Sequence, residues 1–163
     1  MQPTNPAEVL LAHDHWANGR LYETCRSLSE EQFHHPFAMG TGSLHNNLVH
    51  NLGAMRGWTD VLNESERRPR LEEGKHSIPE IEKLHESVSA EFRAAALAKP
   101  FDTVLTPSRN GQSYTFTAGG ILTHVTTHSM HHRAQCLNML RQLGIEELPE
   151  SSVMEWMLLA DTQ

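Results

Sequence analysis

Four stretches of about twenty residues carry apolar side chains at every third or fourth position, and the first three open on a helix-capping residue. That length and period exclude strands. Asn5, Pro6 and Glu8 mark the start of a helix over about 6–28, with Leu10, His13, Ala17, Leu21, Cys25 and Leu28 on one stripe. Ser29 and Gln32 are spaced to cap a short turn. Ser43 opens a helix over about 44–65, striped by Leu44, Leu48, Leu52, Met55, Thr59 and Leu62. A second stripe on that helix, His50, Ala54, Gly57 and Val61, is small enough to admit a neighbouring helix at close range. Ser77, Pro79 and Glu80 open a third helix, which carries Ile78, Ile81, Leu84, Val88, Phe92 and Ala95 to about Lys99 before Pro100 stops it. The fourth covers about 119–143, with Gly144 placed as its C′ residue. Ser151 or Ser152 starts a short last helix carrying Val153, Trp156, Met157 and Leu159. Between the third and fourth long helices, FDTVLTPSRNGQSYTFTAGG alternates polar and apolar residues around Asn110-Gly111, which fits a compact hairpin or an ordered crossover loop. The expected fold is all-α, a single domain over residues 1–163. It is a four-helix bundle with one long crossover or hairpin connection before the last long helix and a short C-terminal helix.

Charge narrows the function. A net charge of −7 gives no basic face for a phosphate backbone, so no nucleic-acid partner is expected. The short run Arg67-Arg68-Pro69-Arg70, followed by Glu72 and Glu73, reads as a solvated loop. No run of about 18 apolar residues is present, so no membrane span is expected, and MQPTNPAEVLLAHDHWANG does not read as a secretion leader. The cytoplasm is the expected compartment. Cys25 and Cys136, lying within helical patterns and lacking CxxC spacing, read as reduced core thiols.

Histidine is the compositional anomaly, at 12 of 163 residues. At that density chance alone yields roughly one i, i+4 pair, so an isolated HxxxH carries little weight. The fourth helix nevertheless concentrates His124, His128, His131 and His132. At 100° per residue, His128 and His132 fall in the middle of the face formed by Ile121, Val125, Cys136, Met139 and Leu143, while His124 and His131 lie on its flank. Two imidazoles one turn apart on an inward face either each find hydrogen-bond partners or together chelate a metal ion. A third ligand then comes from another helix; His50 is the natural candidate, with His45 and His13 open on pattern alone. A zincin carries Glu directly after the first His, and here that residue is Ser129. His34, His35, His76 and His85 read as solvated; His13 is in register with the first apolar stripe and is a candidate for the same cavity.

At this point the chain resembles a known family, the DinB-like (YfiT-like, damage-inducible) metal-binding four-helix bundles. The resemblance rests on LAHDHWANGRLYETCRSLSEEQF, SLHNNLVHNLGAMRGW and HVTTHSMHHRAQ, and it covers nearly the whole chain. His50 and Trp58 match the family's His eight residues before a Trp; His128, His132, Arg133 and Gln135 match its HxxxHR-x-Q, while Ala134 replaces a frequent Gly. The resemblance implies a divalent metal site, zinc or nickel, held by His50, His128 and His132. His124, His13, Arg133 and Gln135 are then expected around it or lining its cavity. It also implies activation of a small thiol toward a small-molecule electrophile, as in S-transferases of the family. A metal-dependent hydrolase, or a non-enzymatic metal-binding stress protein, is the alternative. Pro107–Gly119 is placed to frame a substrate mouth. The exposed apolar segment around Trp156 and Met157, together with the family's habit of pairing, leads to the expectation of a homodimer.

Overall fold

Asn5 caps the first helix, α1 (Pro6–Cys25), its side-chain oxygen accepting from the Ala7 amide at 2.9 Å. Glu8 is drawn away to Arg93, 3.2 Å distant on a neighbouring helix, and completes no capping box. The computed structural model describes residues 3–160. Ser29 and Gln32 form a reciprocal capping box on α2 (Glu30–Phe33), and Ser43 caps α3 (Leu44–Leu62) through the Asn46 amide. The third long helix, α4 (Ile78–Ala98), begins where the Glu80 carboxylate accepts from the Ser77 amide at 2.8 Å. α3 stops three residues before the expected end, because Glu64 adopts a left-handed φ of 54°.

The long connection is a nested hairpin. β1 (Val104–Leu105) pairs antiparallel with β4 (Phe116–Thr117), and inside them β2 (Ser108–Arg109) pairs with β3 (Gln112–Ser113). Asn110 and Gly111 at its tip have φ of 52° and 75°, the doubly left-handed turn that suits the twist of a two-residue hairpin. The chain then enters α5 (Ala118–Gln142) and ends in α6 (Val153–Leu159). Gly144 follows α5 with φ 84°.

The result is an all-α helical bundle. α3 packs on α4 and α5, α1 packs on α4, α5 and α6, and Leu21, Leu44, Leu52, Ile81, Ile121 and Met139 fill the interior. Each such side chain contributes about 1.5–3 kcal/mol by leaving water. A polar seam crosses this core. Arg133 on α5 pairs with Asp14 on α1 at 3.1 Å, both buried. Asn18 and Asn51 both donate to the Ser129 hydroxyl, at 2.9 and 3.0 Å, joining α1, α3 and α5. No helix among the described residues is long and apolar enough to cross a membrane.

Three expectations change. The small-residue stripe of α3 receives no helix: nothing lies within 4 Å of where a Cβ would stand on Gly57, and His50, Ala54 and Gly57 line a cavity instead. Trp156 is buried, 5% exposed, because α6 turns it onto α1; Met157 is exposed as expected, and Met154 and Leu158 carry the exposed apolar surface with it. His85 is 1% exposed rather than solvated, since it belongs to the stripe Ile81, His85, Val88, Phe92 that faces inward.

The buried His85 ring stacks on His15 at 4.6 Å, and its Nε2 has no hydrogen-bond partner among the described residues. Burial, with His15 beside it, pushes its pKa down to about 3. The unfolded chain takes up a proton near pH 6.5 that the folded chain refuses, so this contribution is complete above that pH and is lost as pH falls toward 3. Urea denaturation at pH 5 should give a stability lower by about 1–2 kcal/mol than at pH 7.5 from this group alone. The slope should flatten in His85→Leu; an unchanged slope would assign the acid sensitivity elsewhere.

Candidate metal centre

α3 and α5 lie side by side, and this brings His50 against His128 and His132. One ring nitrogen of each lies within 4.8 Å of the others. Ring centroids are 5.3 Å apart for His50–His128, 4.9 Å for His50–His132 and 4.5 Å for His128–His132. The rings are steeply inclined to one another, at 55°, 71° and 60°, so their lone pairs can converge on one point.

Two of the rings are held by their Nδ1 atoms. His50 Nδ1 lies 3.2 Å from Glu72 Oε1, and His132 Nδ1 lies 3.0 Å from Asn47 Oδ1. With Nδ1–H donated to those oxygens, Nε2 is left with a free lone pair on each ring. Asn47 is itself fixed, accepting from the Thr41 amide at 3.2 Å and hydroxyl at 3.1 Å. Glu72 reaches His50 from the 3-10 turn Leu71–Glu73, over Gly53. A Cβ on Gly53 would stand 2.8 Å from the Glu72 carboxylate, so glycine is what lets that carboxylate approach.

Burial and crowding keep the two α5 rings neutral. Burial, then His132 and His50, pushes the His128 pKa down to about 4. Burial and His50 lower His132 as well. Burial pushes the Glu72 carboxyl up, but backbone, His50 and Arg70 hydrogen bonds outweigh it and hold it below its usual value. Three imidazoles, two of them oriented by acceptors, form a donor set suited to a borderline divalent ion with coordination positions to spare.

The other expected residues divide. His124 is exposed and flanks the cluster, its ring 5.5 Å from His128 and edge-on to Trp58 at 5.3 Å. Gln135 donates to His131 at 2.9 Å, next to the cluster. Arg133 lies one residue beyond His132, hence about 100° round the helix, and faces α1 and Asp14. His13 is also elsewhere, 2.9 Å from the Ser151 carbonyl and packed on Trp156, because α6 docks over its turn of α1. His45 bonds Asn46 and packs on Phe33. Glu72 was not foreseen. It lies 22 residues from His50 in a segment without periodicity, and nothing in the sequence couples the two.

A second trio, His15, His85 and Glu86, also brings candidate ligand atoms within 4.8 Å. Its two rings are nearly parallel, 13° between planes, so their lone pairs do not meet on one ion. Of the thiols, Cys25 and Cys136 are both free and buried; burial pushes Cys25 up to about 12 and Cys136 well above its usual value. Neither has the character of a nucleophile.

Beside His50 opens a cavity of about 750 Å³, between α3, residues 67–72 and the hairpin. Trp58 and Phe116 form one wall, edge-to-face at 5.1 Å, and Tyr114 stacks on Phe116. Compared with known proteins, residues 1–156 match the model of the DinB family. No curated protein matches the chain.

Proposed function

We propose, on the footing that the chain belongs to the DinB family, that His50, His128 and His132 hold a divalent metal ion at which a small external thiol is activated for transfer to an electrophile. The observation that carries this reading is the pair of oriented rings: Glu72 and Asn47 accept hydrogen bonds from Nδ1–H of His50 and His132 and leave Nε2 of each for the ion. A divalent ion bound there by neutral ligands keeps its full charge and supplies Lewis acidity to a thiol or water on its open side.

The chain's own residues favour the thiol over water. Ser129 stands where a zincin carries its glutamate, and it is fully buried, accepting from Asn18 and Asn51. Glu72 Oε1 accepts from both His50 and Arg70, and the carboxyl is held below its usual value, which makes it a weak base toward water. A thiol, in contrast, gives up its proton at a far lower pH than water does. Because Cys25 and Cys136 are sealed in the core, the thiol comes from solution. The aromatic wall beside His50 offers the electrophile a place to lie.

The test is turnover. Zinc- or nickel-loaded protein, given a panel of low-molecular-weight thiols and an electrophile such as 1-chloro-2,4-dinitrobenzene, is expected to form thioether at a rate above the uncatalysed reaction. His128→Ala should return the rate to background. Metal-loaded protein that turns over no thiol in the panel would make the chain a metal-binding protein without this activity.

A further inference from the structure

We propose that the cavity beside His50 seats a small organic anion, its carboxylate or phosphate gripped by Arg56, Arg67 and Arg109 and its body laid against Trp58, Tyr114 and Phe116. The inference deepens the thiol-transfer reading by naming the charge of the molecule brought to the imidazoles, and it rests on that reading only for what happens after binding.

The charge balance is the first ground. The protein carries 20 acidic side chains against 13 Lys and Arg, yet five of those 13, all of them Arg, line this one cavity with only Asp60 and Glu72 as acidic neighbours. The two carboxylates are already spoken for. Arg68 binds Asp60 at 2.8 Å and reaches out to Glu91 at 2.7 Å, and Arg70 binds Glu72 at 3.5 Å. Arg56 donates to the Pro69 carbonyl, a neutral acceptor. Arg67 and Arg109 have no carboxylate partner among the described residues. Three guanidinium groups without a carboxylate partner therefore line one concave surface in an acidic protein.

Their chemistry and their placement are the second ground. Guanidinium presents a planar fork that matches carboxylate and phosphate oxygens two at a time, which an ammonium does not. The three come from separate elements: Arg56 from α3, Arg67 from the connection after it, and Arg109 from β2 of the hairpin. The same cavity is lined by the aromatic group of Trp58, Phe116 and Tyr114, so it offers both cationic and apolar surface. That pairing selects a molecule with an anionic end and a flat or apolar body. Trp58 also abuts His124, which abuts His128, so the body of the ligand lies along the route to the imidazole cluster.

Calorimetric titration of the full chain with phenyl phosphate, benzoate and neutral benzamide tests this. Phenyl phosphate or benzoate should bind and benzamide should not, and affinity should fall at least about tenfold as salt rises from about 0.05 M to about 0.5 M. The double variant Arg67→Gln/Arg109→Gln should weaken anion binding by about tenfold or more, with the helical signal unchanged. A preference for phenyl phosphate assigns the site to a phosphoryl group and a preference for benzoate to a carboxyl; either upholds it. The same titrations on His128→Ala, stripped of metal, separate the two readings. Arginine-dependent binding that persists there upholds the anion site whatever the fate of the metal centre. Binding that vanishes in His128→Ala and ignores the arginines makes the anion a metal ligand only and overturns the proposal. So does failure of both anions to bind wild-type protein, a result that requires no variant to fold.

Discussion

Replacing His50, His128 or His132 singly with alanine is expected to leave a helical protein that no longer holds a divalent ion. Wild-type protein, purified without an affinity tag and dialysed against zinc or nickel, should carry about one ion per chain by elemental analysis. Each variant should carry far less. His50 and His128 are only partly buried, and His132, though buried, is no part of the apolar core, so the variants should unfold near the temperature of the metal-free wild type. What they lose is the gain on loading, about 2.7 kcal/mol for an ion supplied at a hundredfold over its dissociation constant. Glu72→Gln makes the series graded. It keeps three imidazoles but removes the charge that accepts from His50 Nδ1–H, so stoichiometry should survive at saturating metal with affinity about 10- to 100-fold weaker. Wild type that takes up no ion, or a His128→Ala variant that binds as tightly as wild type, would dissolve the centre.

Asp14→Ala is expected to be the most destabilising exchange on the far side of α5. Asp14 is 4% exposed and Arg133 3%, and removing the acid strands the guanidinium in the core with only the Asn18 carbonyl, 3.4 Å away, to accept from it. Breaking a buried pair on one side costs about 3–5 kcal/mol, a large part of the 5–15 kcal/mol that holds an ordinary domain together. Burial pushes the Asp14 carboxyl above its usual value in spite of Arg133, a sign that the lost hydration of this acid outweighs the attraction of its partner. The double variant Asp14→Leu/Arg133→Met should therefore recover most of the loss. Urea denaturation followed by circular dichroism completes the cycle. A single variant within about 1 kcal/mol of wild type would mean that water reaches the pair in solution.

The helices and the sequence-readable part of the site come from the same signal. Ser43, Ser77 and Thr117 stand at helix starts, and the 3.6-residue period puts His128 and His132 one turn apart on the face that α3 meets. His50 was only one of several candidates on periodicity, and the family resemblance singled it out. Position 85 shows where the pattern misleads. Leu84 is the more apolar choice for the stripe of α4, but the inward register runs through His85, and only the packing of α1 against α4 decides between neighbours 100° apart. Glu72 and the arginines escaped for another reason. They lie in connections, where no period relates a residue to its spatial neighbours, so Arg67, Arg68 and Arg70 read as a solvated loop until the chain folds back over Gly53.

Both thiols of this chain are free and sealed in the core, so no sulfur bridge staples one part of the sequence to another. An ion shared by His50 and His128 would do that work, closing a loop of about 80 residues that contains α4 and the hairpin, a restraint of the kind a disulfide imposes on the unfolded chain. Unlike a disulfide, it would be reversible and indifferent to redox state: metal supply would set how tightly the middle of the chain is held, and acid or a chelator would cut the staple without breaking a covalent bond.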